Sequence, residues 1–408
     1  MVSSSSIRET WMTHSLYIFF ISMILYIIQT LIFQKLMFGQ ELIRIKRTPD
    51  LPLRFNYDGT FKILQVADMH YGTGVLSRCR DVLASEFMFC SDLNTTQFIR
   101  KLIATEKPDF IAFTGDNIFG SSTADAAESL IKAFRPAMES KIPWAAILGN
   151  HDQESTMTRE ELMYFISLMD YSVSQINPST YDRFDNDRGH VLADIDGFGN
   201  YNIHINGAFG THLANTSVLN LYFLDSGDRA TVEGIRTYGW IKESQLHWLR
   251  NISEGFQVTK QAQNLDGLPG VATIPALTFF HIPIPEVRQL WYTKFKGQFQ
   301  EGVACSTVNS GVLQTLTSMG DVKAVFLGHD HLNDFCGEIN GIWFCYGGGS
   351  GYHGYGKVGW QRRARIILVE LEKGKHEWME VEKIKTWKRL DDENLSKIDM
   401  QLLWDRRS

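Results

Sequence analysis

The chain has 408 residues, of which 44% are hydrophobic, 21% charged and 12% aromatic, and 40 Lys+Arg against 46 Asp+Glu leave a net charge of −6. That is an ordinary globular composition with length for one large core or two smaller ones, which excludes a small disulfide module and a largely disordered chain. No long basic run offers a surface to a polyanion, so no nucleic-acid partner is expected. Five Cys with no Cys-x-x-Cys pair exclude a zinc ribbon and a thioredoxin-type site.

The first element is apolar. Residues 16–33 read LYIFFISMILYIIQTLIF, without a charge, which is the lower length for a membrane-spanning helix. Gln34, Lys35, Leu36 and Met37 follow where a cleaved signal peptide would carry small residues. Residues 1–40 are therefore read as an uncleaved signal anchor in preference to a cleaved signal peptide. Lys35, Arg44, Lys46 and Arg47 after the run, against Arg8 before it, would hold the body in the cytosol. Four sequons, at Asn94, Asn215, Asn251 and Asn394, argue instead for glycosylation in the secretory lumen. The reading taken is a secretory-pathway protein, secreted or attached to a membrane through its N-terminal segment.

Residues 41–59 read as a linker. From residue 60 to 388 apolar strand runs alternate with polar or helical connections, the pattern of a layered α/β or α+β domain. Residues 61–67 run into Asp68 and His70, and 109–114 run into Asp116. Residues 144–148 run into Asn150, His151 and Asp152; 277–280 run into His281; 322–327 run into His329 and His331. Helical stretches over 96–106 and 128–138 carry apolar faces that should cover the sheets. Residues 389–408 are rich in charge and read as a polar, loosely packed tail ending in a short helix.

Ligands gather at the carboxyl ends of strands, where rigid strands aim converging loops. Singly, each of these polar clusters reads as a turn or a helix cap. Together Asp68, His70, Asp116, Asn150, His281, His329 and His331 form an oxygen and nitrogen donor set suited to two transition-metal ions, with iron, zinc and manganese all compatible.

The ordered motifs D-x-H, G-D-N, G-N-H-D, H and G-H-x-H resemble those of the calcineurin-like metallophosphoesterase superfamily. Within it, the chain looks most similar to plant purple acid phosphatases of the short, single-domain type. The resemblance implies two packed β-sheets flanked by helices with a dinuclear site at the strand ends. It implies that Asp68, His70 and His331 hold one metal, that Asn150, His281 and His329 hold the other, and that Asp116 bridges them, with His151 beside them as proton donor. One position departs from the purple pattern: Phe119 stands where that pattern has a tyrosinate ligand, while His70 replaces a glycine and restores an imidazole.

Such a pair, about 3.5–4 Å apart, can neutralise a phosphate ester and lower the pKa of a bridging water, so the expectation is hydrolysis of a phosphomonoester by hydroxide attack. The substrate is a small molecule or a phosphoprotein. A catalytically inactive membrane-tethered binding protein and a phosphodiesterase on the same scaffold are the alternatives. Asp152 orients a metal-site imidazole or caps a helix, and His353, in a glycine-rich run, reads as an exposed loop residue.

One disulfide follows from register. Asn340-Gly341 is a strong two-residue hairpin signal, and a turn centred there places Cys336 opposite Cys345 in a non-hydrogen-bonded pair, about 4.5 Å between Cα atoms. That spacing permits a bridge. In a reducing compartment the same residues would be two buried thiols.

Overall fold

The computed structural model describes residues 4–38, 46–177, 195–263 and 273–407. They fall into two units, Met1–Arg47 and Thr48–Ser408. In the first, helix α1 spans Ser4–Phe38. Among the described residues no helix is long and apolar enough to cross a membrane, so the anchor expected at residues 16–33 has no support there. The side chains of Leu31, Ile32, Phe33 and Lys35, and all of Arg44, lie outside the described residues.

The second unit is built on two mixed sheets. Its strands in chain order are β1 (Thr60–Val66), β2 (Phe110–Thr114), β3 (Trp144–Ile147), β4 (Tyr201–Asn206), β5 (Ser217–Phe223), β6 (Arg229–Val232), β7 (Ile235–Tyr238) and β8 (Ala276–Phe279). There follow β9 (Phe295–Lys296), β10 (Val322–Leu327), β11 (Cys336–Ile339), β12 (Ile342–Tyr346), β13 (Arg363–Lys373), β14 (Trp378–Leu390) and β15 (Lys397–Asp405). One sheet runs β15-β14-β13-β1-β2-β3 and the other β4-β5-β8-β10-β12-β11-β9, while β6 and β7 form a separate ribbon.

Strands β1, β2 and β3 are parallel, as are β5, β8, β10 and β12. Their burial is almost continuous, which is why their sequences are apolar runs without alternation. Aromatic side chains stack across neighbouring strands: Tyr201 on Phe223 at 4.9 Å, Phe223 on Phe279 at 4.9 Å and Phe279 on Phe326 at 5.4 Å between centroids. Each such pair adds about 0.5–1.5 kcal/mol beyond its buried area, so this ladder fixes the register of the second sheet. Phe110 and Phe223, 6.4 Å apart, join the two sheets across the core.

Helices cover the first sheet. α2 is the short turn Ala84–Phe87, and α3 (Asp92–Glu106) starts on a capping box of Ser91 and Asn94. α4 (Ala126–Ser140) is capped by Asp125, and α5 (Arg159–Ser167) by Thr158 with Glu161. Each cap satisfies amide donors that the first helical turn leaves free. α6 (Glu243–Gln263) and α7 (Val312–Met319) follow later in the chain.

Both ends of the expected domain are corrected. Within the presumed linker Leu53 and Phe55 are buried, and the Phe55 amide donates to Asn206 O at 2.9 Å. At the other end residues 397–405 are not a loose tail with a helix but the edge strand β15. The charges that look solvated are paired: buried Lys388 lies 2.6 Å from Asp334 and 2.7 Å from Asp399, and Arg389 lies 2.6 Å from Glu106.

β11 and β12 pair with Ile339 opposite Ile342 and Cys336 opposite Cys345, and those cysteines are bonded with Cα atoms 4.1 Å apart. A second bridge, Cys79–Cys90, closes an 11-residue separation that nothing in the sequence marks as a hairpin.

Candidate metal centre

Five strand ends meet at one place. The end of β1 supplies Asp68 and His70, β2 supplies Asp116, β3 supplies Asn150, β8 supplies His281 and β10 supplies His329 and His331, all buried. The donor atoms of Asp68, His70, Asp116 and His331 lie within 4.8 Å of one another, and so do those of Asp116, His281 and His329. Asp116 belongs to both groups. Its Oδ2 is 3.3 Å from His70 Nε2 and 3.3 Å from His281 Nε2. Asn150 brings its Oδ1 to 3.3 Å of His281 Nε2.

Turning these side chains inward requires unusual backbone. Asp68, His70, Asp116 and His329 all adopt positive φ, at 55°, 45°, 49° and 80°. Such conformations are uncommon for residues with a Cβ and persist where surrounding bonds over-determine them. Here the amides of Asp68 and His70 donate to the carbonyls of Gly115 and Asp116 at 3.1 and 2.9 Å. The amides of His329 and His151 donate to the Asp68 and Asp116 carboxylates at 2.9 and 2.8 Å. Gly115 has φ 89°, and a Cβ there would stand 2.5 Å from His281 Nδ1, so only glycine fits. Gly354, in the glycine-rich run, packs so closely that a Cβ would meet His331 Cε1 at 2.9 Å and His70 Cδ2 at 3.0 Å. The run is thus a wall over the ligands.

The arrangement fits a cation. His281 Nδ1 faces Thr114 O at 2.9 Å and His331 Nδ1 faces Tyr355 O at 2.8 Å; a carbonyl only accepts, so both rings donate there and turn Nε2 lone pairs into the cluster. His331 Nε2 then stands 2.9 Å from His70 Nε2 and 3.6 Å from Asp68, and buried His329 Nε2 has no hydrogen-bond partner. Imidazole nitrogens and carboxylate oxygens that converge in this way are what a metal satisfies.

The electrostatics agree. Burial pushes the Asp68 carboxyl well above its usual range, with Asp116 adding to the effect against the pull of His281. Burial acts on Asp116 in the same direction, but the imidazoles of His281 and His70 outweigh it and hold that carboxyl well below the usual range. Burial keeps His70, His329 and His331 neutral, the form that ligates. It acts on His281 in the same direction, but the Asp116 and Asp68 carboxylates outweigh it and raise the pKa of that ring to about 9, so His281 gives up a proton when it ligates.

His151 lies at the mouth, its ring 5.2 Å from His70 and 5.0 Å from Phe119. Sequence reasoning missed its neighbours. Glu154 Oε2 is 2.8 Å from His151 Nδ1, and Arg229, at the start of β6, places Nη2 3.2 Å from Nε2 and donates to Asn150 O at 2.8 Å. Glu154 and Arg229 also pair at 2.7 Å. A Glu three residues after the histidine was a visible signal; Arg229 carries none. Tyr355 stacks on His331 at 3.8 Å and Tyr238 stands edge-on to His329 at 4.4 Å.

Asp152 neither caps a helix nor touches an imidazole. It accepts from the amides of Ile118 at 2.9 Å and Gly149 at 2.7 Å, tying the β2 and β3 ligand loops together. His353 is not an exposed loop residue: it is 9% exposed, with Nδ1 2.7 Å from Arg78 O, because the glycine wall folds inward. Asn215, Asn251 and Asn394 are exposed, whereas Asn94 is half-buried in the α3 capping box.

The calcineurin-like phosphoesterase family matches residues 61–333. The chain is 61% identical to "Probable inactive purple acid phosphatase 28" of Arabidopsis thaliana, over 97% of this chain and 96% of that one. It is 52% identical to "Probable inactive purple acid phosphatase 29" of the same plant, over 86% and 88%. Phosphatase DCR2 of Saccharomyces cerevisiae is 35% identical over 86% of this chain and 57% of its own length. With its five ordered motifs brought into one buried cluster, this chain belongs to the calcineurin-like phosphoesterase family.

Proposed function

We propose that the protein is a dinuclear metal-dependent phosphomonoesterase. The observation that carries this reading is the completeness of the donor set: two groups of inward-facing donors share Asp116, and no donor position is lost at Phe119. The Phe119 ring stands edge-on to His70, centroids 5.3 Å apart, so an imidazole serves beside the place where the purple pattern has its tyrosinate. Two relatives bear names that call them inactive, which makes a non-catalytic binding protein the opposing reading. Phe119, standing where the purple pattern has a ligand, is the feature beside the cluster that supports that alternative.

Iron, zinc or manganese would be held by Asp68, His70 and His331 on one side and by Asn150, His281 and His329 on the other. When bound, such ions supply charge neutralisation at the phosphoryl oxygens and a water of lowered pKa. The chain's own part is positional and protonic. Asp116 joins the two groups, and His151 is held through Nδ1 by Glu154. With the Arg229 guanidinium turned aside from Nε2, His151 would take a proton there from water and pass it to the leaving oxygen as the ester P–O bond breaks. Such a transfer contributes roughly 10²–10⁴-fold.

Leaving-group chemistry tests this role. Nitrophenolate is stable as an anion, whereas the alkoxide of glycerol 3-phosphate needs a proton, so His151→Ala should slow the glycerol ester far more than the nitrophenyl ester with metal content unchanged. Equal slowing of both would remove His151 from the reaction, and hydrolysis of neither by the wild type would refute the phosphatase reading.

A lumenal or extracellular location is part of the same proposal. Two disulfides and three exposed sequons support it, since such bridges persist in oxidising compartments. The amino-terminal segment would serve as signal or anchor. Glycosidase treatment of protein from its native host should increase its mobility; no change would count against this location.

A further inference from the structure

We propose that a second anion-binding position, built from Arg80 over the Phe119 ring, lies beside the metal cluster. The substrates of the site are then phosphomonoesters whose leaving group carries a second anion, a carboxylate or another phosphate. This rests on the phosphatase reading above and adds the substrate class to it.

The Arg80 guanidinium lies 4.9 Å from the centroid of the Phe119 ring, and that ring touches His70, His151 and His353 at 5.3, 5.0 and 5.7 Å. A tyrosinate at position 119 would turn its oxygen to a metal; phenylalanine instead offers an aromatic face to a cation. Arg80 is anchored only by its backbone, whose amide donates to Tyr352 O at 2.8 Å and whose carbonyl accepts from Arg362 at 2.9 Å. The preceding Cys79 is bonded to Cys90. The side chain itself is exposed, and among the described residues no carboxylate pairs with it. The adjacent Asp81 is occupied with the Gly356 amide at 2.9 Å. Arg229, on the His151 flank, is already engaged by Glu154 and Asn150 O.

His353 packs against the Phe119 ring, centroids 5.7 Å apart. Its Nδ1 faces a carbonyl and therefore donates, which leaves buried Nε2 as an acceptor with no partner. That buried lone pair does not receive the anion, which is left to Arg80.

A matched pair of phosphonates that cannot be hydrolysed tests the proposal on the metal-loaded, full-length protein. 3-Phosphonopropionate and propylphosphonate differ only in the terminal carboxylate. By calorimetry the wild type should bind the first roughly fivefold more tightly, the upper range for an exposed ion pair. Added salt should narrow the difference. Arg80→Ala should abolish it and Arg80→Lys should keep most of it. Equal binding of both compounds by the wild type, or parallel weakening of both by Arg80→Ala, would overturn the subsite. Because binding is read without turnover, an inactive protein still answers this question, and an active one without the preference refutes only the subsite.

Discussion

Asp116 occupies the one position whose carboxylate faces both donor groups, and this makes its removal diagnostic. Asp116→Ala should lose both metals together, whereas His281→Ala should weaken one of them, as read by metal content per chain after dialysis. Metal content untouched by Asp116→Ala would rule out the shared role. A second expectation concerns Gly354, which is no ligand. A methyl group there meets the rings of His331 and His70, so Gly354→Ala should reduce metal affinity by about 10–100-fold, as disturbance of a ligand's support does, while the far-ultraviolet dichroism stays unchanged. The ligands themselves were legible because five short motifs stand in order at the ends of apolar runs. Arg229, Tyr355 and the buried face of His353 were not, since the connections that aim them carry no periodic pattern, whereas Glu154, three residues after His151, was a visible signal.

Among the elements, the hairpin of β11 and β12 could be read residue by residue, because a two-residue turn at Asn340-Gly341 leaves no freedom of register. The Cys79–Cys90 bridge spans a loop with no such rule. Replacing both of its cysteines by Ser should cost roughly 2–4 kcal/mol in denaturant melts under oxidising conditions. Strand β15 was misread because its charges looked solvated, and its pairing depends on a buried network instead. Asp334 lies 2.5 Å from Arg363 and 2.6 Å from Lys388, both buried. Burial would raise its carboxyl, but the two cations outweigh that and lower it. A folded-state pKa below the unfolded one stabilises at neutral pH and is lost as pH falls through the folded value. Asp334→Asn should therefore cost about 3–5 kcal/mol at pH 7, the penalty for stranding buried charge. The difference from wild type in urea melts should shrink below about pH 4, where the unfolded carboxyl takes up a proton that the native one still refuses, until the native carboxyl is protonated too. A constant difference down to pH 2 would contradict the network's role.

Across the whole molecule, a layered domain was legible because parallel strands buried on both faces read as apolar runs, the ligand motifs marked which ends converge, and the two sheets came only with the family resemblance those motifs carry. The limits of the domain were not. Leu53 and Phe55 pack into the core from a stretch with no periodic pattern, and β15 completes a sheet from beyond the last familial motif. On the function proposed above, this fold has kept a working dinuclear centre although relatives more than half identical carry names that call them inactive. Phosphate release from nitrophenyl phosphate by protein shown to hold two metals per chain, followed from acidic to neutral pH beside Asp116→Ala, tests it most directly. Turnover by the wild type and none above background by the variant are expected; a wild type that carries both metals and releases no phosphate anywhere in that range would refute the phosphatase reading.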